Sequence, residues 1–582
     1  MKKLILTVCC LMTIGIQQSL AADFETAATA VKNMGVGWNL GNTLEANIQS
    51  VTDVSSANFW GQQGLDSETC WGQKATKPEL LRMMREAGFG AIRVPVTWYN
   101  HMDKDGNVDA QWMKRVREVV DYCIDQGLYC IINVHHDTGA DSYDNNGKLT
   151  GYHWIKADMD NYTDNKARYE YLWTQIAREF KDYDEHLLFE SYNEMLDKLS
   201  SWCFASFSSK SKYDATIAKS AYDAVNSYAQ SFVNAVRATG GNNAQRNLVV
   251  NTYGSCCGSG TWNNHLKDPL TQLSLPTDPA TGHLIVQVHD YPNIESGIDS
   301  AKKEFDQMVA TWQTTFLSKG IPMILGEWGT SNVDKGPGNT DYDLRRNVML
   351  QFADYVVSTC KSNGVATFYW MGLSDGAARS IPAFNQADLA ETIVKAYHGS
   401  GYKGSWPSMG DVEMEYTINY SSQWGEASLF SGSATLSAYK GVRVELGEVY
   451  PSGTLNIKVY GEADGKEQVA SIPANTRSNT LTFSSAKLGS KLTRVTLQGC
   501  TADLTVKLSK AVLIKSNGTE DTVTPGVFWG CTVSEEAKTS GIGSVIQDTP
   551  ITSGPVYNLR GQRVSAPLKG IYIRGGRKYL GK

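Results

Sequence analysis

Eight short apolar runs, each leading toward a helix-like stretch, constrain this 582-residue chain more than any other feature. They are GVGWNLG (35–41), GAIRVPV (90–96), LYCIINVH (128–135), HLLFESY (186–192), NLVVNTY (247–253), HLIVQVH (283–289), IPMILGE (321–327) and VATFYWM (365–371). Between them, KPELLRMMREAG (77–88), MKRVREVVDYCIDQG (113–127) and AKSAYDAVNSYAQSFVNAVRATG (218–240) place apolar residues at helical spacing and stop at glycine. Eight strand–helix units over residues 23–398 predict an α/β fold, a (β/α)8 or TIM barrel with some long loops. A doubly wound open sheet is the competing topology. It lacks support, because no run leads into a G-x-G-x-x-G nucleotide loop.

Beyond residue 398 the period changes. Residues 399–410, within GSGYKGSWPSMGD (399–411), read as a linker. VRVELGEV (442–449), TLNIKVYGE (454–462), NTLTFSS (479–485) and LTRVTLQG (492–499) then alternate with period two and predict an all-β sandwich over 411–540. The tail, 541–582, holds VYNLRGQRV (556–564) and GIYIRGGRKYL (570–580), each resembling a hairpin with glycine at its turn. From Val556 to Lys582 there are seven Lys or Arg and no acid. The preceding residues carry 47 basic against 60 acidic side chains, a net charge of −13. A basic tail on an acidic body suggests a separate job for the tail.

Residues 1–22, MKKLILTVCCLMTIGIQQSLAA, combine two lysines, an apolar run and a small-residue end, the pattern of a secretory signal peptide. No later run reaches the length of a membrane helix, so an exported, soluble, monomeric protein is expected. The overall net charge of −6 is dispersed, which argues against a nucleic-acid partner. Nine cysteines follow the leader without metal-ligand spacing, and their odd number leaves at least one thiol unpaired. His135 and His136 are adjacent rather than four apart, and H-E-x-x-H and CxxC are absent, so no metal or cofactor is expected.

In a barrel all eight strand C-termini gather on one face, where chemistry is done. The polar and aromatic residues ending the runs are Arg93, then His135 and His136, Asn193 and Glu194, His289 and Tyr291, Glu327, and Trp370. Singly, a histidine after a strand is most often structural and a lone glutamate is a loop residue. Their joint occurrence at equivalent positions of six runs is harder to ascribe to chance. Glycosidic hydrolysis needs two carboxylates, one a proton donor with a raised pKa, the other ionised. Glu194 and Glu327 fall on opposite runs of the mouth. Arg93 and Tyr291 suit a carboxylate kept ionised, and His289 could set the protonation of the other. Asn193 offers an amide to a sugar hydroxyl, and Trp370 a flat floor for a sugar ring. Trp60, Trp71, Trp98 and Trp154, in or beside loops, are further candidate platforms. Trp312, in a helical stretch, is expected in the core.

The motifs GWNLGNTLE (37–45), IRVPVTW (92–98), INVHH (132–136), ESYNE (190–194), HDY (289–291), ILGEWG (324–329) and FYW (368–370) together resemble glycoside hydrolase family 5, the cellulase family of retaining (β/α)8 enzymes. The resemblance spans about residues 30–398. It implies Glu194 as acid/base and Glu327 as nucleophile, with Arg93, His135, His136, Asn193, His289, Tyr291 and Trp370 around the scissile bond. It further implies an endo-acting enzyme on β-1,4-glucan (cellulose or mixed-linkage β-glucan), with xyloglucanase and β-mannanase as alternatives on the same scaffold. A non-catalytic polysaccharide-binding barrel is disfavoured, since both glutamates and their neighbours are present. The sandwich resembles carbohydrate-binding modules, with Trp406, Trp424, Tyr439 and Trp529 as candidate rings, and a structural spacer is the alternative. The tail is similar to the C-terminal sorting domains of Bacteroidota, which implies export to the cell surface.

Overall fold

Each apolar run becomes one barrel strand. β1 (Val36–Asn39), β2 (Ala91–Val94), β3 (Tyr129–Asn133), β4 (Leu187–Glu190), β5 (Leu248–Cys256), β6 (Leu284–Asp290), β7 (Met323–Trp328) and β8 (Ala366–Tyr369) pair in parallel, and β1 closes on β8. The fold is therefore the expected (β/α)8 barrel followed by antiparallel sheets. The structure, a computed structural model, describes residues 24–47, 64–197 except 144 and 148, 213–258, 265–329 except 293, 295 and 296, 340–537 except 463 and 464, and strands at 556–558, 570–574 and 577–581. The leader, Trp60, Cys203 and most of the tail lie outside these residues.

The surrounding helices form where the apolar period is 3.6 and a side chain satisfies the first turn. Ala110–Asp125, Met159–Glu179 and Ala215–Ala238 are capped by Asp109, Asp158 and Asp214, each accepting from two backbone N–H groups of the first turn. The helix expected from Met113 begins three residues earlier because Asp109 supplies that cap. Outward strand residues such as Trp38, Ile92, Ile132, Phe189 and Val286 pack against the helices in one large core that also holds Trp312. Inward residues form a second cluster: Ala91, Ile131, Leu188, Val249, Ile285, Ile324 and Phe368 meet Ala27, Ala30, Val31 and Met34 of the short helix Ala27–Met34. That helix plugs the barrel floor with apolar side chains. Gly37 is required here by space, since a Cβ at this position would come within 2.3 Å of the Phe368 ring.

Two five-stranded paths make the sandwich. One runs through Ser478–Thr482, Tyr439–Leu446, Leu504–Lys515, Met414–Tyr420 and Cys531–Ala537, with Glu520–Thr522 on the side of Leu504–Lys515. The other runs through Glu467–Ser471, Leu455–Tyr460, Lys491–Gly499, Glu426–Thr435 and Gly526–Trp529. Alternating residues of both, among them Ile418, Val444, Ile457 and Leu497, share one core. In the tail, Gly570–Arg574 and Arg577–Gly581 form the expected hairpin. Val556–Asn558 pairs with Gly570–Arg574 and so adds a third strand to that hairpin.

Residues 399–410 do not behave as a free linker. Ser405 N–H donates to Glu86 O, and Phe384 exchanges backbone hydrogen bonds with Pro407 and Met409. Tyr402 and Trp406 pack against the barrel core, so Trp406 serves the barrel rather than a sandwich surface. Tyr439 likewise packs against the sandwich core, while Trp424 and Trp529 are exposed. Among the described residues Cys70, Cys123, Cys130, Cys360, Cys500 and Cys531 are free thiols, and no described helix is long and apolar enough to cross a membrane. Truncation after residue 411 should leave barrel stability unchanged. Truncation after residue 398, which strips Tyr402 and Trp406, should cost roughly 2 kcal/mol, measurable by urea unfolding of the two fragments.

Candidate functional site

Above the apolar floor, the inward side chains turn polar. Asn39, Arg93, Asn133, Glu190, Asn251 and Gln287, one each from β1 to β6, are completely buried. Arg93 is their hub. Its Nε and Nη2 donate to the two oxygens of Glu190 at 2.6 and 2.7 Å, and Nη1 donates to Glu327 Oε1 at 2.6 Å and Asn39 Oδ1 at 3.0 Å. Nη2 also donates to Asn193 Oδ1 at 2.9 Å. Burial works against the charge on Arg93, but Glu190 and Glu327 outweigh it and raise its pKa. Glu190 shows the reciprocal balance: burial opposes its ionisation, yet Arg93 holds its carboxyl below the usual range. Asn133 and Asn251 each donate a further hydrogen bond to Glu190 Oε1, at 3.1 and 3.2 Å.

The upper layer carries the predicted residues. Glu327, at the end of β7, accepts from Arg93 on Oε1 and from the Tyr291 hydroxyl on Oε2 at 2.6 Å. Glu194, four residues past β4, receives His289 Nδ1 at 2.9 Å from Oε1, and the same Nδ1 lies 3.6 Å from Glu327 Oε2. Oxygen atoms of Glu194 and Glu327 and a ring nitrogen of His289 lie within 4.8 Å of one another. The Glu194 side chain keeps 28% of its surface, whereas Glu327 keeps 6%. Desolvation raises the Glu194 pKa to about 7, opposed by Arg93. Burial pushes His289 down to about 4, so its ring is neutral at neutral pH. Such an acid–histidine–acid cluster has the donor types of a metal site. Both Glu327 oxygens, however, already accept from a guanidinium and a phenol, which suits a carboxylate held for its own charge.

His135 is buried, with Nδ1 3.0 Å from Asn133 Nδ2 and its ring parallel to Trp370 at 6.0 Å. His136 faces Trp71 at 5.4 Å between ring centroids. Burial lowers both histidines, His136 to about 3. Trp370 is half-buried, and Tyr291 is exposed at 38%. All nine predicted site residues thus meet at one mouth, linked by the contacts above. Two of the loop tryptophans do not. Trp98 and Trp154 are buried, donating their indole N–H groups to Asn133 O and Asp137 Oδ1, and so brace the loops after β2 and β3. Trp71 remains half-buried beside His136.

Sequence reasoning missed the layer beneath, above all Glu190. The available signal was a polar residue inside an apolar run: WNL, IINV, FES, VVN and VQV each contain one. A polar side chain in a strand buried on both faces has to point inward and find partners.

Two carboxylates this close, at the C-terminal mouth of a parallel barrel, one desolvated and one clamped by cationic and phenolic donors, define a glycoside hydrolase site. The model of the cellulase family (glycosyl hydrolase family 5) matches residues 52–375, and the chain belongs to that family. Endoglucanase B of Neocallimastix patriciarum is 31% identical over 403 residues, covering 67% of this chain and 74% of that one. Among solved structures, a GH5-4 broad specificity endoglucanase from an uncultured bacterium is 60% identical, with a TM-score of 0.59, covering 66% of this chain and 98% of that one. A glycoside hydrolase family 5 enzyme of Prevotella bryantii B14, solved in complex with a xyloglucan tetradecasaccharide, is 38% identical, with a TM-score of 0.54, covering 65% of this chain and 99% of that one.

Removing Glu190 leaves Arg93 buried with one carboxylate in place of two. Glu190→Ala should therefore destabilise the barrel by about 3–5 kcal/mol, measured by urea unfolding of residues 23–411.

Proposed function

We propose that this protein is an endo-acting β-1,4-glucanase that hydrolyses plant cell-wall β-glucan with retention of anomeric configuration. The observation that carries the reading is the approach of Glu194 and Glu327 to within 4.8 Å. Retaining enzymes hold their carboxyl groups about 5–5.5 Å apart, whereas inverting ones leave room for a water between them. In this reading Glu327 is the nucleophile, its carboxylate aimed by Arg93 and Tyr291. Glu194 is the acid, protonated by virtue of its desolvation. It gives its proton to the leaving oxygen while Glu327 attacks the anomeric carbon. Once Glu327 is consumed in the glycosyl bond, one negative charge leaves the site, which lowers the pKa of Glu194 and keeps it, its proton given up, as the carboxylate that can act as base toward the incoming water.

The remaining residues would hold the sugar. Asn193 has its carbonyl fixed by Arg93, and its Nδ2 has no acceptor among the described residues, which leaves it for a ring hydroxyl. Trp370 and the parallel His135 provide flat apolar contact, and His136 beside Trp71 extends it. A glucan backbone is favoured by the endoglucanase relatives, and the relative bound to a xyloglucan oligosaccharide supports decorated glucan as a second substrate. The leader pattern of residues 1–22 supports export, where such polymers are met.

Three measurements test this reading. Glu327→Gln should lower turnover of barley β-glucan by at least about a thousandfold while retaining binding of cello-oligosaccharides. Proton NMR of the first product should show the β-anomer before mutarotation; initial α-anomer would exclude retention. The rate should be high below pH 7 and fall above it, because only the protonated form of Glu194, whose pKa is about 7, donates. Glu194→Gln should remove that alkaline limb.

A further inference from the structure

Gln287 lies completely buried beneath the site, and no step of the proposed reaction uses it. Its amide nitrogen is 3.2 Å from Nε2 of His289, the ring whose other nitrogen faces Glu194. An amide nitrogen donates and does not accept, so Nε2 must be the bare nitrogen of the neutral ring. The ring hydrogen then sits on Nδ1 and is donated to Glu194 Oε1. The opposite amide orientation would place an N–H2 group where Oε1 now lies, a buried point with no partner. Two orphaned donors there cost more than one orphaned carbonyl. Burial, which keeps His289 neutral, agrees with this arrangement.

A second observation bears on the same side chain. Gly326, on the neighbouring strand β7, has no conformational need to be glycine. A Cβ there would fall 2.2 Å from Gln287 Oε1 and 2.7 Å from its Cγ. The barrel thus leaves out a side chain in β7, and Gln287 occupies that space.

We propose that Gln287 is a positioning residue that selects the tautomer of His289 and, through it, which oxygen of Glu194 carries the catalytic proton. With Nδ1–H donated to Oε1, the carboxyl proton resides on Oε2, the oxygen not engaged by the ring. With the other tautomer, Nδ1 would be an acceptor, and the Glu194 proton would be drawn into a hydrogen bond to the ring and away from the glycosidic oxygen. The other charged or titratable groups facing this pair are Arg93 from β2, His135 after β3, Glu190 from β4, Tyr291 after β6 and Glu327 from β7. None of them bonds Nε2. The inference rests on Glu194 being the proton donor.

The test uses the full chain. Two-bond 1H–15N correlations of the histidine rings, with His289 assigned by its loss in His289→Asn, report the tautomer directly. The Nδ1–H form is expected in the unmutated protein at pH 7, and the Nε2–H form would overturn the proposal without any variant. Gln287→Met keeps the volume and removes the donor. It should lower turnover of β-glucan at least about tenfold, as expected for impaired proton transfer. Hydrolysis of dinitrophenyl β-cellobioside, whose leaving group needs no proton, should fall less than about threefold. Equal losses on both substrates would assign Gln287 a merely structural role and overturn the proposal. Glu194→Gln serves as the reference. If it shows no such leaving-group dependence, the assignment of Glu194 fails, a result distinct from failure of the Gln287 inference.

Discussion

The guanidinium of Arg93 is the interaction on which the site depends. It lies fully buried inside the barrel, where an unpaired cation is prohibitively costly, so the surrounding strands must supply negative charge and acceptors. β1 supplies Asn39, β4 supplies Glu190, the following loop supplies Asn193, and β7 supplies Glu327. The four partners lie up to 234 residues from Arg93 in the chain. One planar, always-charged group thus ties strand register to the placement of Glu327, and its rigid fork tolerates little angular error. Glu190 bears most of the charge compensation. That leaves Glu327 bonded through one guanidinium nitrogen, so that in the proposed reaction its use in a covalent step would not strand the arginine.

The two glutamates at the mouth owe their difference to position. Glu194 stands four residues beyond its strand, reached by one neutral imidazole and partly open to the cleft, so desolvation dominates. Glu327 stands within β7 and receives a guanidinium and a phenol. Identical side chains are therefore given different surroundings by what the backbone brings beside them, which in the proposed reaction would suit them to opposite tasks.

Much of this was legible in the chain. The eight runs marked the eight strands because strands buried on both faces must be apolar, and the catalytic candidates stood out because they ended those runs. Glu190, Asn39, Asn133, Asn251 and Gln287 were not legible in the same way. They sit inside apolar runs, between outward neighbours that pack on helices and lower inward neighbours that pack on the floor, so run-level hydrophobicity hides them. Trp98 and Trp154 failed for the opposite reason. Their segments read as solvent-facing loops, yet those loops fold over the barrel rim and bury the indoles, with the N–H groups satisfied by Asn133 and Asp137. Residues 399–410 have a linker's composition, but Tyr402 and Trp406 fasten them to the barrel.

The apolar plug formed by helix Ala27–Met34 and the lowest inward side chains has a bearing on the order of events at the opposite end of the barrel. An apolar floor offers a water molecule or a proton no hydrogen-bonding partners on the way in. In the reaction proposed above, water and protons would then reach the two glutamates by the same mouth that a polymer would fill. On that reading the departing sugar chain would clear the mouth before the hydrolytic water entered. Traffic through a single opening, enforced by a few alanines and branched aliphatics some distance from the chemistry, would then set the sequence of departure and attack.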